Sequence, residues 1–250
     1  RIMSDGIVRG SGKGIYCSGA DASVINAGRI SGSYSVYLGG SDSEFINRGK
    51  VHSEYDAVII NEDGARVVNE KGGLLKSGNI TVSLGGAAGD TFELVNRGKI
   101  ESDEAAVSGS DSDDTVINDG KITGDIWLGA GTDMVDTRSG RIAGTIYGGA
   151  GDDTLITDKA DHKLSESAGQ GFDTVKSTVT YALTENVEKL VLLGAKNIDG
   201  KGTASNDTLV GNSGNNVLWG YEGNDRLDGK AGNDILRGGA DADTFVFKTG

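Results

Sequence analysis

Five glycines stand nine residues apart near the end of this chain: Gly202, Gly211, Gly220, Gly229 and Gly238. The segments they open read GTASNDTLV, GNSGNNVLW, GYEGNDRLD, GKAGNDILR and GGADADTFV. Their sixth position is Asp207, Asn216, Asp225, Asp234 and Asp243, and their eighth is Leu209, Leu218, Leu227, Leu236 and Phe245. A unit this short cannot bury its apolar face alone, so it must stack on its neighbours. Two nonapeptides make one coil, which places residues eighteen apart one above the other.

A longer and looser period organises the first two thirds. A core of two apolar residues, Asn, any residue, Gly, any residue and an apolar residue recurs as VINAGRI (24–30), FINRGKV (45–51), LVNRGKI (94–100) and VINDGKI (116–122). VVNEKGGL (67–74) carries one extra residue, and VDTRSGRI (135–142) is a degenerate copy. The spacings between Asn26, Asn47, Asn69, Asn96 and Asn118 are 21, 22, 27 and 22 residues. About seven coils of 19–27 residues follow, each of two or three short strands separated by glycine turns. Stacked at about 4.8 Å, their asparagines are expected to form a hydrogen-bonded ladder. Gly28, Gly49, Gly98, Gly120 and Gly140 are expected to take positive φ at the coil corners.

Composition agrees with a stacked coil. Glycine supplies 42 of 250 residues and proline none. Strands paired on both sides leave proline no place, because it cannot donate to the ladder. The glycines follow no three-residue period, which excludes collagen. Hydrophobic residues are 36% and aromatic residues 6%, too few for the thick core of an ordinary enzyme of this length. A net charge of −13 argues against nucleic acid and anionic membrane as partners, and no apolar run is long enough for a membrane span. Cys17 is the single cysteine, so no internal disulfide framework exists. Beginning at Arg1 with no signal-peptide pattern, the sequence reads as a piece of something longer. The expected fold class is all-β: a parallel β-solenoid over residues 1–157 stacked with a parallel β-roll over 202–250. Residues 158–201 lack the nine-residue frame and read as a connector or cap, with a short helical turn around 184–188.

The eighteen-residue coil pairs Asp207 with Asp225, Asn216 with Asp234, and Asp225 with Asp243. Stacked carboxylates repel, and a hard divalent cation between them turns repulsion into attraction. Calcium suits such a place because it accepts six to eight oxygens in irregular geometry, backbone carbonyls included. Magnesium demands a tighter octahedron, and zinc wants histidine or thiolate, which the array lacks.

With those residues in place, segment 202–246 resembles the repeats-in-toxin (RTX), or hemolysin-type, calcium-binding repeats of proteins exported by bacterial type I secretion. FDTVKSTVTYALTENVEKLVLLG (172–194) resembles the sequence that often precedes them. The resemblance implies a parallel β-roll holding several Ca2+ ions. The implied side-chain ligands are Asp207, Asp225, Asp234 and Asp243. The implied carbonyl ligands belong to Gly202, Ala204, Gly211, Ser213, Gly220, Glu222, Gly229 and Ala231. The copy departs from the pattern at the second position, glycine only at Gly239, at Asn216, and at Asp241 in place of the fourth-position glycine. The Asn216–Asp234 site is therefore expected to be the weakest. GGAGDDTLI (148–156) matches fully, GAGTDMV (129–135) nearly and GSDSDDTVI (109–117) loosely. Asp114, Asp133 and Asp153 each lie four residues before the asparagine-equivalent position, which predicts up to two further calcium sites. Asp21, Asp42 and Asp90 align less well, and their coils are expected to stack without metal.

Other chemistry is weaker. The two histidines, His52 and His162, form no His-Glu-x-x-His motif. The stretch GSGKG (10–14) lacks the spacing of a phosphate loop. Tyr34, Tyr37, His52 and Tyr55 offer a fragment of a polysaccharide-lyase-type site without a matching basic constellation. The expectation is thus a non-catalytic, secreted or cell-surface calcium module, unfolded for export and folded by calcium outside, used as a structural, surface or adhesin part. The alternatives are a calcium stalk on an exported polysaccharide-modifying enzyme, or a catalytic β-helix. Expected partners beyond calcium are extracellular polysaccharide or a cell surface, and self-association through solenoid ends.

Overall fold

A computed structural model describes residues 2–4, 6–9 and 13–247, so most of the GSGKG stretch lies outside the described residues. The protein is all-β, built of parallel strands stacked as a β-solenoid. Among the described residues there is no helix, hence none long and apolar enough to cross a membrane. Two compact units divide the chain, Arg1–Gly149 and Ala150–Gly250.

In the first unit one ladder runs through Ser23–Asn26, Glu44–Asn47, Arg66–Asn69, Thr91–Asn96, Asp113–Asn118 and Met134–Asp136. Its register stacks Val24, Phe45, Val67, Leu94, Val116 and Val135 in one column, each at most 1% exposed. A second ladder stacks Ile30, Val51, Leu75, Ile100, Ile122 and Ile142, and a third stacks Val36, Val58, Val82 and Val107. Each coil thus gives about one aliphatic side chain per face, and each such burial contributes about 1.5–3 kcal/mol. The core is thin but continuous.

The asparagine ladder is present. Asn26 Nδ2 donates to Asn47 Oδ1, Asn47 to Asn69, Asn69 to Asn96 and Asn96 to Asn118, each at 2.8 Å. All five are fully buried. The corner glycines differ from expectation: Gly28, Gly49, Gly98, Gly120 and Gly140 do not have positive φ. What requires glycine there is close stacking. A Cβ on Gly49 would overlap the Gly28 carbonyl, one on Gly120 the Gly98 carbonyl, and one on Gly140 the Asn118 carbonyl.

In the second unit one ladder joins Thr154–Thr157, Thr174–Ser177, Lys189–Leu192, Thr208–Val210, Arg226–Asp228 and Thr244–Val246. Another joins Tyr181–Ala182, Gly200–Lys201, Val217–Tyr221 and Ile235–Gly239. Residues 158–201 therefore contribute strands to the same ladders as the nonapeptides, although they lack the nine-residue frame. The segment around 184–188 is a turn, not helix: the Val187 amide donates to the Thr184 carbonyl at 3.3 Å and Asn186 has φ 63°. Leu155, Val175, Leu190, Leu209 and Leu227 form the buried column, which ends on Phe245, 39% exposed.

Candidate metal centre

One register position recurs at or just before the start of the strands in each unit's first ladder. In the second unit the register places Asp153, Asp173, Glu188, Asp207, Asp225 and Asp243 in this one position, coil upon coil. In the first unit the same position holds Asp114 and Asp133, and before them Phe92, Ala65 and Ser43. The column changes from small or apolar to acidic between Phe92 and Asp114.

A shared pattern holds these carboxylates. Oδ1 accepts the backbone amide of the acid one coil earlier: Asp114 to Asp133 at 2.7 Å, Asp153 to Asp173 at 2.8 Å, Asp207 to Asp225 at 2.8 Å and Asp225 to Asp243 at 3.1 Å. The Asp173 amide donates likewise to Glu188 Oε2 at 2.8 Å. In the nonapeptides Oδ2 turns back over the first-position glycine of its own repeat. A Cβ on Gly202, Gly220, Gly229 or Gly238 would meet Oδ2 of Asp207, Asp225, Asp234 or Asp243. These glycines leave room for a carboxylate cradled against backbone.

Burial of so many acids is costly. Asp114, Asp207 and Asp225 are at most 2% exposed, and Asp114 Oδ2, Asp207 Oδ1 and Asp225 Oδ2 are buried without a hydrogen-bond partner. Loss of water pushes the Asp114 carboxyl up to about 7 and that of Asp207 to about 6, the latter raised also by the charges of Asp225 and Glu188. Burial, with Glu188 and Asp152, raises Asp173 to about 6, and burial with Asp243 raises Asp225. A buried carboxylate oxygen without donor is expensive, and a divalent cation removes that expense. The donor set is oxygen throughout, which fits calcium.

The other expected residues separate by environment. Asp234 and Asp243 are half-buried in the last coils. Asn216 takes the sixth position with its needs met by protein: Nδ2 donates to the Ile198 carbonyl at 2.6 Å, and Oδ1 accepts the Asn212 amide at 2.9 Å. The first-position glycines Gly202, Gly211, Gly220 and Gly229 are buried, whereas Ala204, Ser213, Glu222 and Ala231 stand exposed on the turns. The Gly220, Gly229 and Gly238 carbonyls lie against Gly202, Gly211 and Gly220, one coil away.

Three acids absent from the sequence reading join this centre: Glu166, Asp173 and Glu188. Carboxylate oxygens of Asp153, Glu166 and Asp173 all lie within 4.8 Å of one another, a group able to hold a metal ion. A signal for Asp173 existed in the sequence. An Asp-Thr-apolar run occurs at 114–116, 153–155, 207–209 and 243–245, and also at 173–175, while the same run at 90–92 puts Phe92 rather than Asp90 in the column. Glu166 and Glu188 carry no such mark. The tyrosines of the lyase-like fragment do not converge: Tyr34 stacks on Tyr55 at 5.5 Å and Tyr37 on Tyr16 at 4.9 Å, as two separate pairs.

Fold and site together define a parallel β-solenoid with acidic corners. The RTX calcium-binding nonapeptide repeat matches the chain in four copies, over residues 145–161, 201–236 and 220–250. Those segments are RTX-type calcium-binding repeats of the hemolysin class. No curated protein matches the chain.

Proposed function

We propose that this chain is a bacterial, extracellular calcium module whose second unit folds as calcium is taken up. The observation that carries the reading is the acid column, with Asp207 Oδ1 and Asp225 Oδ2 buried and undonated at adjacent coils. Ions between Asp207 and Asp225 and between Asp225 and Asp243 would lie against the column's carboxylates and satisfy Asp225 Oδ2, with carbonyls of the first and third repeat positions completing the shell. A further ion would sit among Asp153, Glu166 and Asp173, and another beside Asp114 and Asp133. The Asn216–Asp234 position binds most weakly, since the Asn216 amide already supplies a donor where a cation would stand.

Without metal, a −13 charge and a thin core favour an open chain. At millimolar calcium, ligand filling stabilises the folded form by mass action, by about 2.7 kcal/mol when the ion is at a hundred times its dissociation constant. The role that fits is structural: a surface, adhesin or stalk segment that stays unfolded in a calcium-poor cytosol and sets outside. Calorimetric titration of the full chain with Ca2+, paired with far-ultraviolet circular dichroism, tests this. Several ions bound with a gain of strand signal are expected. A chain that binds none, or whose spectrum ignores calcium, refutes the reading.

A further inference from the structure

The acid column does not begin with the nonapeptides, and its entry point has the makings of a site. The register pairs Lys189 with Thr208, which puts Glu188 directly beside Asp207 on adjacent coils. Asp207 Oδ2 is committed to its own turn: the Thr203 amide donates to it at 2.6 Å and the Thr203 hydroxyl at 3.1 Å. Its other oxygen therefore takes the place that Oδ1 holds in Asp225 and Asp243, on the side of the preceding coil. In those two residues Oδ1 accepts an amide from that coil. In Asp207 it accepts nothing, although the residue is 2% exposed. The missing partner lies on the Glu188 side.

Glu188 is the one glutamate in a column of aspartates. Fifteen residues separate Asp173 from Glu188, against 18 from Asp207 to Asp225, so the coil is short and its longer side chain makes up reach. One of its oxygens accepts the Asp173 amide, which anchors the carboxylate in the column. Its charge acts on the Asp207 carboxyl, as expected of near neighbours. Two carboxylates one coil apart, one of them with a buried empty oxygen, call for a hard divalent cation.

We propose that Glu188 and Asp207 bind a calcium ion between them, at a site that lies half outside the RTX repeats. It extends the metal column into residues 158–201 and ties that segment to the roll. The assignment rests on the calcium reading above, and it makes Asp207 a ligand shared by two ions.

Calcium stoichiometry of the full chain, by equilibrium dialysis and calorimetry, tests it. Glu188→Gln keeps an oxygen for the Asp173 amide but loses the charge, and one ion fewer than wild type is expected. Asp207→Asn should lose two, and Glu185→Gln, exposed on the neighbouring turn, none. Glu188→Asp, which keeps charge but shortens reach, should weaken one site about tenfold. Thermal melts in chelator should leave Glu188→Gln at or above wild type. A Glu188→Gln chain with the full ion count overturns this site alone. An equal loss of melting temperature with and without calcium makes Glu188 merely structural and also overturns it. A wild type without bound calcium overturns the calcium reading and this site with it.

Discussion

The backbone amide of Asp207 donates to Oδ1 of Asp225, one coil away, at 2.8 Å, while Oδ2 of that aspartate is buried without a donor. One carboxylate thus stitches two coils and still presents an unsatisfied charge. Asp225→Asn should act in opposite directions with and without calcium. In millimolar calcium it removes a ligand shared between two coil pairs, and the melting temperature should fall by about 5 °C or more. In chelator it relieves a buried charge and should leave stability equal or higher. Differential scanning calorimetry in both buffers checks the reversal.

The calcium-free protein should lose stability as pH rises. Carboxyls at Asp114, Asp173 and Asp207 ionise at about 7, 6 and 6 in the folded chain. Their unfolded value is near 3.9. The folded form therefore binds more protons between pH 4 and 7, and stability present below pH 4 is lost through that window. Urea midpoints in chelator should fall from pH 4.5 to 7.5. Excess calcium should reverse the trend, since the metal needs the ionised form.

Substituting the asparagine ladder should cost stability whether or not calcium is present. Asn69→Ala strips the acceptor of the Asn47 amide and the donor to Asn96 in a fully buried position. Asn47 Nδ2 and Asn96 Oδ1 keep backbone partners, so the loss is that of two buried hydrogen bonds, about 1–3 kcal/mol. Denaturant unfolding of the first unit's signal should show the same loss in calcium and in chelator.

Tyr221 occupies the second repeat position at φ 91° and is 47% exposed. Gly239, its register partner one coil on, has φ 125°. Left-handed backbone costs a side-chain-bearing residue about 1–2 kcal/mol. Tyr221→Gly should therefore raise the melting temperature by about 3 °C. A fall would mean that the ring's packing outweighs the backbone strain.

Gly220→Ala should do the opposite. The added methyl would overlap Asp225 Oδ2 and press on the Gly238 carbonyl. Calcium affinity should drop at least tenfold, read by titration, because both a carboxylate and a carbonyl are displaced.

Much of this was open to reading in the chain alone. The nine-residue frame named Asp207, Asp225, Asp234 and Asp243, and the Asn-x-Gly cores named the buried ladder from Asn26 to Asn118. The corner glycines were legible as glycines but not for their reason, which is contact with a carbonyl one coil away. Such contacts join residues 20 or more apart and leave no local trace.

Periodicity by itself determined that the chain must stack into coils and that acids would recur at their corners. Regular spacing dictates register wherever the repeat length is constant. Only the tertiary structure decided that Asp173 and Glu188 stand in the same column, across coils of unequal length. There the register is set by packing Val175 and Leu190 on the shared core, not by counting residues.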